Sequence, residues 1–256
     1  MKKHLFLCTG AIVMLSVLAW FTACQKESPG FEPTLTDLTV ADRTPGDSKV
    51  FPPTAHPFGK SYTQWTVDWM HEFMTDDCDH NAWLNPQYVL FHQNGPVYFM
   101  AGLSAQGASA DITVPHGKAI LFPLVNFLND HPCPDPNFQP DPGQSMEDFL
   151  KNGNATFSGV TDFMALVTNT SVTIDGSPVS NTTNYQFISN LFNFTGNPDL
   201  ATCFDGCITG ESQAGVAGGY YIMLKPLSKG VHTVHYHSEI PAWGVLQDAT
   251  FIITVL

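Results

Sequence analysis

Positive charge is what this chain of 256 residues has least of: 10 Lys and Arg stand against 23 Asp and Glu, for a formal net charge of −13. So few cations exclude nucleic acid and anionic phospholipid headgroups as partners, because both are held by basic patches. Charged residues of either sign make up 13% of the chain, too few for a solvated, unfolded polymer. Nucleophile-elbow, zinc-protease and phosphate-loop patterns are missing, and no two cysteines stand in a CxxC pair. The first three absences remove support for serine hydrolysis, zinc proteolysis and nucleotide binding. The last removes support for a Cys-rich metal knuckle. No cofactor motif is identified, and a divalent metal is the one cofactor left open.

The N-terminus has the layout of an export leader. Lys2, Lys3 and His4 precede an apolar run from Leu5 to Phe21, and no acid occurs before Glu27. The run is shorter than the roughly 20 residues that a spanning helix needs. Phe21-Thr22-Ala23-Cys24 resembles the lipobox of bacterial lipoproteins. Residues 1–23 are therefore expected to be a signal peptide, and Cys24 to carry a diacylglycerol thioether with an added acyl chain such as palmitate. Two or three acyl chains hold a protein to a membrane where one does not. Residues 24–57 include Pro29, Pro33, Pro45, Pro52, Pro53 and Pro57 and read as a flexible tether. Residues 58–256 read as one β-rich domain in the cell envelope.

Cys78, Cys133, Cys203 and Cys207 remain after Cys8 and Cys24 are set aside. An even number in an oxidising compartment implies two disulfides, and four cysteines allow three pairings. Gly206 suits a tight loop closed by Cys203 and Cys207, so the expected pairs are Cys203–Cys207 and Cys78–Cys133.

Periodicity supplies the elements. Tyr62, Trp65, Trp69 and Phe73 share one face of an amphipathic helix, and Ser61 with Gln64 forms its capping box. A short helix over Met146–Lys151 has Ser145 as its cap and Gly153 as its stop. Strands are expected over Tyr88–His92, Val97–Ala101, Ala119–Val125, Ser171–Ile174, Tyr185–Ile188, Tyr220–Lys225, Val231–His237 and Ala249–Val255. Pro123 marks an edge or a bulge. Ser171–Ile174 and Tyr185–Ile188 are expected to form a hairpin through Asp175-Gly176. Many short strands with turns between them give a mainly β fold, a β-sandwich or jelly roll with one N-terminal amphipathic helix and one or two short ones.

Four segments resemble a family of uncharacterised exported bacterial proteins. They are Gly59-Lys60-Ser61-Tyr62 with Trp65, Gln93 to Gly102 around Gly95-Pro96-Val97, Val114-Pro115-His116-Gly117-Lys118-Ala119 through Phe122-Pro123 to Asn126, and Pro226-Leu227 with Gly230, His232 and Thr233. The resemblance covers less than half the chain, and it implies export and an order of elements, with no chemistry.

Several residues are candidates for chemistry. His235 and His237, two apart on a strand, face the same side and make half of a metal site. A third ligand would come from His80, His92, His116, His131, Asp130 or Asp135. Asp130, Asp135 and Asp141 form an acidic loop of oxygen donors that suits Ca²⁺. Lys118 and Asn126 are polar residues beside an apolar strand and must find partners. Trp83 and Trp243, in turn-rich segments, suit stacking on a sugar. The leading expectation is a cell-envelope binding module for a glycan, a peptide or a protein partner, with Trp83, Trp243, Lys118 and Asn126 near the ligand. The alternatives are a metal-dependent envelope enzyme built on His235 and His237, and a structural lipoprotein with no small ligand.

Overall fold

A computed structural model describes residues 45–103 and 106–256. The leader, Cys24 and most of the expected tether lie outside these residues. In chain order the strands are β1 (Leu90–His92), β2 (Val97–Met100), β3 (Ala108–Val114), β4 (Ala119–His131), β5 (Asn169–Ile174), β6 (Ser177–Pro178), β7 (Gln186–Ile188), β8 (Phe192–Thr195), β9 (Ser212–Leu224), β10 (Gly230–Ile240) and β11 (Val245–Val255). The α-helices are α1 (Tyr62–Phe73), α2 (Met146–Asn152), α3 (Val160–Ala165) and α4 (Leu200–Cys203).

The fold is mainly β, in two mixed sheets. One runs β1-β2-β4-β9-β7, with β8 also on β9; the other runs β3-β11-β10-β5-β6. Among the described residues, only β2–β4 and β3–β11 pair in parallel. The sheets pack face to face: Phe122 on β4 meets Phe251 and Tyr236 with ring centroids 5.8 and 6.1 Å apart. Helix α1 covers the opposite face of the first sheet. Its Trp69 meets Tyr221 edge-on at 5.9 Å and donates Nε1–H to the Met100 carbonyl at 3.0 Å.

This layering explains two sequence patterns. The first sheet is covered on both faces, so Ala119–Val125 is buried throughout and its sequence is continuously apolar. The second sheet has one open face, so β10 and β11 alternate. Val234, Tyr236, Ser238 and Ile240 point inward and are buried, while the residues between them are partly exposed.

Several expectations are met in detail. Ser61 Oγ accepts from Gln64 N–H and Gln64 Oε1 accepts from Ser61 N–H, so the capping box is complete. Ser61→Ala should therefore lower stability by about 1 kcal/mol, measured by urea unfolding; an unchanged midpoint would show the box to be idle. Ser145 caps α2 and Gly153 ends it with a φ of 70°. Pro123 sits at a register break between β4 and β9, in a strand with neighbours on both sides, so it marks a bulge and no edge.

Other expectations are corrected. Asp175-Gly176 does turn the chain after β5, but the returning strand is β6; Gln186–Ile188 belongs to the other sheet, on β9. Residues 45–57, expected in the tether, lie on the domain. Val50 is fully buried and bridges Leu224, Phe51 N–H donates to the Met223 carbonyl, and Trp65 Nε1–H donates to the Pro57 carbonyl. The prolines that suggest a linker here suit a stretch that lies along β9 without joining a ladder.

The cysteine pairing also differs: the bonds are Cys78–Cys203 and Cys133–Cys207. Cys203 ends α4, whose packing puts its sulfur beside the segment after α1. The turn through Asp205-Gly206 is closed by Asp205 Oδ1 accepting from Cys207 N–H, and it delivers Cys207 to the loop after β4. Four residues of separation allow a small ring, but helix and turn send the two sulfurs to different partners.

Candidate functional site

The C-terminal end of β4 and the N-terminal end of β9 place a buried carboxyl group beside a cavity. From Asn126 to His131, β4 is registered against Gly219 to Ala214 of β9. This half of β9 is rich in Gly and Ala because neighbours press on it. A Cβ on Gly218 would come within 2.5 Å of Val160 Cγ1 on α3. The closeness of the layers brings Asp130 into the interior, only 2% exposed.

Asp130 forms part of a cavity of about 310 Å³. Phe138, Phe157 and Leu128 give it apolar walls, Asp135 and Asp205 bring two more carboxyl groups, and the Cys133–Cys207 bond closes one side. The Phe138 ring is edge-on to Phe157 at 5.2 Å and tilted against Phe149 at 4.7 Å, so the wall is braced from behind. The side-chain amide of Gln213 donates to Asp130 Oδ2 and, at 3.0 Å, to the Cys207 carbonyl. Gln213 Oε1 in turn accepts from Thr209 N–H at 2.9 Å. Burial, with the charge of Asp205 added, pushes the Asp130 carboxyl up to about 8 against the opposing Gln213 bond. At neutral pH this group is mostly a neutral acid, able to donate a hydrogen bond as well as accept one.

Asp130, Cys133 and Cys207 have ligand atoms within 4.8 Å of one another. The two sulfurs are joined in a disulfide, so neither is a thiolate, and the trio does not amount to a metal centre. Asp135 Oδ1 is engaged by Asn137, from N–H at 2.9 Å and Nδ2 at 3.0 Å. Asp141 Oδ1 accepts from Asn154 Nδ2 at 3.3 Å. The acidic loop thus spends oxygens on its own turns.

His235 and His237 lie, as expected, on one face of β10, the open face of the second sheet. Their partners are carboxylates. His235 Nε2 is 2.5 Å from Asp248 Oδ1, and His237 Nε2 is 2.6 Å from Glu239 Oε1. The other expected histidine ligands take partners elsewhere: His80 with Asp77, His92 with Glu72, and His131 with Gln139. His116 is exposed.

Trp243 is 49% exposed, in the turn between β10 and β11, and packs edge-on against Phe127 and Phe163. Trp83 is only partly exposed and packs against the core. Lys118 donates to the Gly95 carbonyl at 2.6 Å and lies over the Tyr98 ring, so it braces the turn before β2. Asn126, half-buried on β4 opposite Gly219, precedes the segment that leads to the cavity. The residues that sequence reasoning missed are Gln213, Asp205, Phe138 and Phe157. No spacing motif connects them to Asp130; the signal that was present is Asp130 following a long apolar strand.

The chain matches no known family profile and no curated protein. Two solved structures share a weak likeness. One is the cysteine protease inhibitor EhICP2 from Entamoeba histolytica, at 11% identity and a TM-score of 0.23, over 62% of this chain and 96% of that one. The other is PbICP-C in complex with falcipain-2, at 10% identity and 0.21, over 63% and 98%. At these scores the likeness says nothing about this chain's activity.

Proposed function

We propose that the protein is an exported lipoprotein of the bacterial cell envelope, anchored through Cys24, that acts as a binding module. Its ligand seat is the cavity at the end of β4 and β9. The observation that carries this reading is a cavity of about 310 Å³ combining braced Phe138 and Phe157 walls with the buried Asp130. Small-molecule seats have this form: apolar walls with a few fixed polar groups. Rings and carboxyl groups together suit a sugar unit of an envelope glycan, whose CH faces stack and whose hydroxyls pair with oxygens. Two disulfides fit an oxidising compartment, and the Lys-Lys leader with Ala23-Cys24 fits lipid anchoring.

The test is a glycan array probed with the full chain in detergent. A glycan hit should weaken about two- to tenfold in Phe138→Ala, the range expected from 0.5–1.5 kcal/mol of ring contact. Asp205→Asn should weaken it as well, and Trp243→Ala should leave it unchanged. Loss in Trp243→Ala with the cavity variants unaffected would move the seat to the turn between β10 and β11 and sink the proposal. Anchoring has its own check: palmitate labelling that disappears in Cys24→Ser.

A further inference from the structure

One wall of the cavity is a bond that can open. Cys133 and Cys207 both line the cavity and both are half-buried, so a small reagent that enters meets this pair. A carboxyl oxygen of Asp130 and the two sulfurs lie within 4.8 Å of one another. A proton crosses such a gap through one water, or directly once the sulfurs part. Cys133 Sγ is also 3.5 Å from the Asp130 carbonyl oxygen, so bond and carboxyl are held at the same end of β4. Gln213 fixes them from β9, donating to Asp130 Oδ2 and to the Cys207 carbonyl.

The second disulfide lacks this arrangement. Cys78 and Cys203 are half-buried too, so exposure does not separate the two bonds. Cys78 Sγ has the Asp199 carbonyl at 3.1 Å and the Thr202 hydroxyl at 3.7 Å, and Cys203 Sγ has the same carbonyl at 3.7 Å. Among the described residues no carboxyl oxygen lies within 4.8 Å of both of these sulfurs.

We propose that Cys133–Cys207 is a thiol–disulfide exchange site for dithiols that enter the cavity, with the Asp130 carboxyl as its proton donor and acceptor. A thiolate of the dithiol attacks one sulfur of the bond, and a mixed disulfide forms. The old bond breaks, its electron pair leaves on the other cysteine sulfur, and that sulfur takes the Asp130 proton. The dithiol's second thiol gives its proton to the Asp130 carboxylate and attacks the mixed disulfide. The first cysteine leaves as a thiolate. Two electrons have passed: the dithiol is oxidised to a disulfide, and Cys133 and Cys207 are reduced. The reverse sequence reduces a partner's disulfide. Asp130 suits the task. Burial, then the charge of Asp205, keeps its proton in place up to about pH 8, near the ordinary cysteine value of about 8.5. Groups so matched exchange a proton readily. Asp205 and Asp135 are the other titratable side chains on the cavity besides the joined cysteines, and no Lys, Arg or His lines it. The exchange is independent of which sugar the cavity seats.

The experiment treats the folded full chain with dithiothreitol, quenches with an alkylating reagent at short times and locates the modified cysteines by mass spectrometry. Cys133 and Cys207 should be modified about 100-fold faster than Cys78 and Cys203, the low end of what a positioned proton donor contributes. Asp130→Asn should remove most of that preference. Raising the pH from about 7 to about 9 should shrink the preference in the parent, as the carboxyl loses its proton, and leave the variant's ratio unchanged. The ratio of the two rates cancels the reagent's own ionisation, and a carboxyl that only shaped the cavity would not give this pH dependence. Equal rates for the two bonds in the parent, or faster opening of Cys78–Cys203, overturns the assignment. So does an Asp130→Asn chain that keeps the parent's preference and its pH profile. The parent's own ratio and profile decide the matter if the variant fails to fold.

Discussion

A chain in which Cys78 and Cys203 are both serine should be less stable by about 4–5 kcal/mol, and one lacking Cys133 and Cys207 by nearly as much. The bonds span sequence separations of 125 and 74 residues. Loop-closure entropy for a 100-residue loop is about 4.7 kcal/mol and changes slowly with length. A domain of this kind has a net stability of roughly 5–15 kcal/mol, so losing either bond removes a large fraction and losing both should leave it unfolded at body temperature. The two bonds also differ in what they hold. Cys78–Cys203 ties the exit of α1 to α4, whereas Cys133–Cys207 is a wall of the cavity. Losing the second should open the cavity at temperatures where the rest of the domain remains folded, and abolish any binding that the proposed seat supports. Urea unfolding of the paired serine variants, with and without a reductant on the parent, is the measurement. A reduced parent that unfolds at the same urea concentration as the oxidised one would refute the estimate.

Asp130→Asn should make the domain more stable at alkaline pH and nearly indifferent at acid pH. The folded-state value of Asp130, about 8, lies above the ordinary value of 3.8. Between these two values the folded chain holds a proton that the unfolded chain has released. Stability therefore falls as pH rises through this window, by up to about 1.4 kcal/mol per pH unit, and levels off above it. The total reaches several kcal/mol, because the group is almost wholly buried. Asparagine keeps the shape and can still accept from Gln213, but it has no proton to lose. Unfolding midpoints of parent and variant at about pH 5 and about pH 9 separate the effect from other titrations, since only the difference between the proteins matters. Parallel pH profiles would show that Asp130 ionises without cost where it sits.

Much of the scaffold is legible in the residues themselves. Trp65, Trp69 and Phe73 announce α1 because a helix packed on a sheet must be apolar along one stripe. Val231–His237 alternates because its sheet is wet on one side. The far half of β9 is not legible, since Ser212–Gly219 has few residues that favour strands. Its Gly and Ala are there to let α3 and the rings of Phe192 and Phe194 come close, a requirement visible only in three dimensions. β3 escapes for a related reason, as its outward residues Ser109, Asp111 and Thr113 mask its short apolar pattern. The candidate sites divide in the same way. His235 and His237 are found by spacing on one strand. Asp248 joins them only through the ladder between β10 and β11, and the cavity around Asp130 draws on segments that only the fold and its crossed disulfides unite.

The parallel pairing of β3 with β11 has a consequence for biogenesis. Ribosomes deliver β3 long before β11, and no other strand of its sheet borders it. Throughout that interval β3 is an unpaired ladder, the kind of template that recruits strands from other molecules. Contacts between such distant segments also form slowly. A nascent chain of this design gains from a holding chaperone until β11 emerges, and deleting β11 would strand β3 and strip β10 of a neighbour at one stroke.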